Sequence, residues 1–63
     1  MLLFKGGLRI GVEFKRADAP RVTPSMNIAM HDLQLDHLYV VYPGELRYAL
    51  AERMEAVPLA ALL

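Results

Sequence analysis

Leu38-Tyr39-Val40-Val41-Tyr42 is an unbroken run of branched and aromatic residues in a chain of only 63. It lacks the polar alternation of a surface strand and reads as a strand covered on both faces. A chain this short has little to cover it with, because one helix covers only one face of a small sheet. Small domains bury only about 60% of the surface that their unfolded chains expose, and they often need staples or partners. No Cys is present, so no disulfide acts as a staple. Seven acidic and seven basic side chains balance to zero, and 56% of the residues are hydrophobic. Neutral, apolar chains favour association, and two-fold pairing is its commonest form. The expectation is one domain over residues 1–63, assembled as a homodimer.

The elements around this strand follow from local signals. Leu2 to Lys5, Gly6-Gly7 and Leu8 to Arg16 predict a β-hairpin, with glycines supplying the positive φ angles of a tight turn. Residues 17–22 form a loop in which Pro20 removes a ladder donor. Thr23-Pro24 opens a helix, with Thr as N-cap and Pro where its missing N–H costs nothing. Met26, Ala29, Met30 and Leu33 give that helix one apolar stripe over about residues 24–34. Pro43-Gly44 ends the central strand. Glu45 to Met54 is rich in good helix formers, with Leu46, Ala49, Leu50 and Met54 on one side.

Several functions are disfavoured outright. The balanced charge provides no basic field to attract phosphate backbones. The longest apolar runs are far short of the roughly 20 residues a membrane helix needs. MLLFKGG lacks the basic start of a signal peptide, so the expected compartment is the cytoplasm. Gly6-Gly7 and Gly11 fit no phosphate-loop spacing. His31-Asp32 and Asp36-His37 form a quartet suggestive of metal, but the two His residues are six apart and share no face of a regular element. Tyr39, Tyr42 and Tyr48 lack the basic interleaving of a base-stacking surface.

The chemistry-bearing candidate is Glu13-Phe14-Lys15. Leu8, Ile10, Val12 and Phe14 alternate with Arg9, Gly11, Glu13 and Lys15, the period of a half-buried strand. Glu13 and Lys15 therefore share a face, with Cα atoms roughly 6.6 Å apart. A carboxylate beside an ammonium is part of the equipment of metal-assisted phosphodiester hydrolysis. It is equally an ordinary surface ion pair. Lys15, Arg16, Asp18 and Arg21 add a mixed cluster at the strand's exit.

GVEFKRADAP, followed by TPSM and HLYVVYPG, resembles the end of a prokaryotic family with an N-terminal AAA-type ATPase module and a C-terminal domain of unknown function. That C-terminal domain has the restriction-endonuclease-like PD-(D/E)xK fold, and the likeness runs from about Leu2 to Leu59. It implies an α+β order β-β-α-β-(β-β), a truncated nuclease-like core, with short strands near Arg47 to Leu50 and Glu55 to Pro58 instead of a helix. It implies that Glu13 holds a metal such as Mg²⁺, that Lys15 orients the attacking water, and that Phe14 offers its carbonyl while its ring packs in the core. The family pattern also needs an acid on the preceding strand, and residues 1–12 contain no Asp or Glu. The chain thus resembles a stranded C-terminal half, without the ATPase module.

Three functions fit this description. The first is a non-catalytic remnant of a nuclease-like domain that acts as a homodimer. The second is a metal-dependent nuclease half-site, with Glu13 and Lys15 completed by another chain and nucleic acid as substrate. The third is an interaction module that docks to an ATPase-containing partner.

Overall fold

A computed structural model describes residues 1–16 and 19–62. It is an α+β unit with one five-stranded mixed sheet and one helix. The elements run β1 (Leu2–Lys5), β2 (Leu8–Phe14), α1 (Pro24–Asp32), β3 (His37–Tyr42), β4 (Tyr48–Ala51) and β5 (Met54–Pro58), with a 3₁₀ turn at Leu59–Leu62. This is the expected β-β-α-β-(β-β) order, with the second strand two residues shorter at its end and the helix ending at Asp32. The strands lie in the order β1-β2-β3-β5-β4. β3 pairs in parallel with β2 on one side and β5 on the other, and the two outer pairs are antiparallel.

Local chemistry accounts for the boundaries. Gly6 and Gly7 both adopt positive φ, at 58° and 81°, which closes the first hairpin in two residues. Thr23 caps α1 by accepting a hydrogen bond from the Met26 amide at 3.3 Å, and Pro24 occupies the first turn. The helix-forming composition of Glu45 to Met54 is overridden, since β4 and β5 satisfy their backbone groups in the sheet. The turn between them places Arg53 at a φ of 64°.

The core is a cluster of Met26, Leu35, Leu38, Val40 and Met54, against which Leu2, Met30 and Leu50 pack. Met26 supplies the helix's one buried side chain. Leu35 lies outside the helical stripe, in the turn after α1, yet it is buried as deeply as Leu38. Arg9 fastens this turn to β2. Its amide donates to Asp36 Oδ2 at 2.7 Å, its carbonyl accepts from the Asp36 amide at 2.7 Å, and its Nε donates to the Leu33 carbonyl at 2.7 Å.

The side of β2 that the helix covers is the unexpected one. Alternation alone turns Leu8, Ile10, Val12 and Phe14 toward the core. The register instead sets Gly11 beside Leu38 and Glu13 beside Val40, on the helix side. Gly11 permits this: a Cβ there would lie 2.6 Å from Leu35 Cδ1 and 3.0 Å from Leu38 Cδ1. The missing side chain lets the turn after α1 settle directly on β2. Phe14 is left 60% exposed on the opposite side, so its ring does not pack in the core as the family likeness implies.

A Gly11→Val substitution tests this packing. Overfilling a close-packed site costs about 1–3 kcal/mol, so the unfolding midpoint in urea should fall clearly, and less for Gly11→Ala. An unchanged midpoint for Gly11→Val would mean that Leu35 does not seat on β2.

Candidate functional site

Glu13 and Lys15 stand at the carboxyl end of β2, beside the parallel β3. In open sheets with parallel strands, ligands bind beyond the carboxyl ends of the strands. The Lys15 amide donates to the Val41 carbonyl at 2.8 Å, which fixes the backbone where β2 ends. Lys15 Nζ then lies 3.4 Å from Glu13 Oε1, with both side chains about one-third exposed, at 34% and 36%. The structure thus brings the two predicted residues together on one face. Lys15 also lines a groove of about 330 Å³ with Pro20, Arg21, Thr23 and Met26. Glu13 borders a smaller depression of about 160 Å³ against Ala29, Leu33, Leu35 and Leu38. Asp18, the acid of the predicted exit cluster, lies outside the described residues.

These residues make a poor fit for Mg²⁺. Magnesium is held by one or two carboxylates with octahedral oxygen ligation. Glu13 offers one carboxylate, and the Lys15 ammonium against it repels a cation. No group of three His, Cys, Asp or Glu side chains suited to a metal occurs among the described residues. The His quartet is dispersed. His31 pairs with Asp32 at 3.3 Å on the exposed end of α1, Asp36 accepts from Arg9, and His37 lies on β3 near Glu55.

A second constellation occupies the other face of the sheet, and sequence reasoning missed it. Arg47 donates from Nε to Glu55 Oε2 at 2.7 Å and from Nη2 to Glu55 Oε1 at 3.0 Å, a bidentate pair. His37 Nε2 is buried 3.9 Å from Glu55 Oε1, too far for a hydrogen bond, and has no hydrogen-bond partner among the described residues. The His37 ring lies against Tyr39, with centroids 4.3 Å apart. Arg47 forms one wall of an apolar groove of about 250 Å³, completed by Val12, Tyr39, Val41, Val57 and Leu62. The missing signal is register. Arg47 and Glu55, eight positions apart, are brought into contact by the pairing of β4 and β5 as a hairpin.

The hydrogen bonds from Arg47 hold the Glu55 carboxyl below its ordinary pKa, and those same bonds raise Arg47. Burial, with a smaller contribution from Tyr42, raises the Tyr48 phenol, whose hydroxyl donates to the Pro20 carbonyl at 2.7 Å. A carboxyl depressed in the folded state contributes stability that is present above its unfolded pKa and lost as pH falls through the folded one. Acid unfolding followed by circular dichroism should therefore show a destabilising limb below about pH 4.5. Glu55→Gln should flatten this limb and leave the neutral-pH fold intact. A limb of unchanged steepness in that variant would assign the acid sensitivity to other carboxylates.

Comparison with known proteins yields two relatives of the same standing. An uncharacterized protein of Mycobacterium bovis and one of Mycobacterium tuberculosis are each 44% identical to this chain over 57 residues. The match takes in 90% of this chain but 13% of each relative, so the chain spans about an eighth of their length. No protein-family model matches, and no solved structure matches significantly.

Proposed function

We propose that this chain is a non-catalytic module derived from a restriction-endonuclease-like core, and that it works as a homodimer. The observation that carries the reading is the state of the Glu13 carboxylate. An ammonium lies 3.4 Å from it, and no group of three His, Cys, Asp or Glu side chains suited to a metal includes it among the described residues. An acid so compensated is a structural ion pair on a sheet, and a weak one given its exposure. The order β-β-α-β-(β-β), with a carboxylate and a lysine on one face at the end of β2, supports the descent from the nuclease-like fold. Self-association is supported by the sheet face that no helix covers.

The experiment has two parts. The pure chain, with Mg²⁺ or Mn²⁺ and a supercoiled plasmid, should leave the DNA intact, and Glu13→Gln should change nothing. Metal-dependent cleavage abolished by Glu13→Gln would replace this reading with the half-site nuclease. Sedimentation equilibrium at micromolar concentration should give twice the mass of one chain, and the mass of one chain would overturn the homodimer.

The length of the mycobacterial relatives favours a second reading. In them the matching stretch is a small part of a far longer chain. An interaction module that docks to an ATPase-containing partner is in keeping with a stretch that makes up 13% of each relative.

A further inference from the structure

We infer that the helix-free face of the sheet is the docking surface for a second copy of this chain, packed sheet to sheet across a two-fold axis. This rests on the self-association proposed above and adds the face through which it occurs.

The face is apolar and continuous. Val12, Phe14, Tyr39 and Leu62 supply its accessible apolar surface, and the already buried Val41 and Val57 form the floor of the groove between them. Phe14 and Leu62 are 60% and 57% exposed. The 3₁₀ turn walls one side, its Leu62 lining the same groove as Val12 of β2. Aligned sheets pack about 10 Å apart with interdigitating side chains, and a face with a central groove accepts such a partner.

The accessible surface agrees in magnitude. A compact monomer of 7.1 kDa is expected to expose about 4,100 Å², against 4559 Å² here, an excess of roughly 450 Å². A standard interface hides about 800 Å² on each partner.

Charge selects a second copy over a foreign chain. A two-fold interface sets the same patch against itself, so a patch of one sign repels its own copy. Here the charges beside the groove are Arg47 and Glu55, and they already neutralise each other through two hydrogen bonds. His37, beside Glu55, and Lys5, opposite Leu8 on the outer strand β1, are the other titratable groups on that side besides Tyr39. The centre of the patch therefore meets its own image without burying an unpaired charge, and Lys5 stays exposed at the outer strand. The outer side of α1 competes poorly, because exposed Ile28 shares it with Asn27 and His31.

The test compares Phe14→Asp and Leu62→Asp with Ile28→Asp in sedimentation, with circular dichroism to check folding. The face variants should shift the equilibrium at least tenfold toward monomer, and Ile28→Asp should leave the dimer unchanged. Should the face variants fail to fold, isotope-filtered nuclear Overhauser spectra of a mixed labelled and unlabelled wild-type dimer decide. Intermolecular signals are expected from the Val12 and Leu62 methyls and the Phe14 ring. A dimer broken by Ile28→Asp, or intermolecular signals confined to Ile28 and Leu33, overturns the inference while self-association stands. A wild type that stays monomeric overturns both and leaves the face to a different chain.

Discussion

The approach of Leu35 and Leu38 to the bare backbone at Gly11 is the constraint on which the rest of the molecule depends. It decides which side of β2 the helix covers, and every other placement follows. With Gly11 inward, Glu13 rides on the helix side of the sheet and meets Lys15 where β2 ends. Phe14 and Val12 are then sent to the outside. The clamp of Arg9 on Asp36 and Leu33 holds the same turn in place from the other end. A side chain at position 11 would displace the terminal methyls of Leu35 and Leu38 from the positions they hold against β2.

The open face has a topological origin. Parallel strands need a return connection, and when that connection is a helix it covers one face of the sheet. This sheet contains two parallel pairings. The return from β2 to β3 runs through α1, whereas the return from β3 to β5 runs through β4, which lies in the plane of the sheet. Among the described residues α1 is the one α-helix laid on the sheet, and it covers one face. On β3, Leu38 and Val40 meet the helix side, while Tyr39 and Val41 look the other way, where Val41 is buried all the same and Tyr39 is half-buried.

Elements were more legible than faces. The hairpin glycines, the Thr23-Pro24 cap and the run Leu38 to Tyr42 carry their information locally, so their elements stand close to where the sequence predicts them. The strands of residues 48–58 were not legible from propensity, because sheet pairing outweighs the helix preference of Glu45 to Met54; the family likeness anticipated them. The inward face of β2 was illegible for a different reason. Alternation identifies two faces but does not say which one receives the helix, and a glycine carries no hydropathy signal of its own. At the candidate site, the spacing of Glu13 and Lys15 was sufficient to place them together. The Arg47–Glu55 pair depended on a hairpin register that only the folded sheet supplies.

The strand order has a consequence for how the chain reaches this state. Each outer pair, β1 with β2 and β4 with β5, is a hairpin closed by two residues, and such hairpins form on their own within about 1–10 μs. The central strand has no such local partner: both its neighbours are parallel to it and lie far away along the chain. Joining them requires large loops to close before any contact rewards the closure. The pairings of the central strand are therefore the contacts that carry the largest loop-closure cost in this sheet, and a chain that has not made them leaves inner strand edges open to a neighbour.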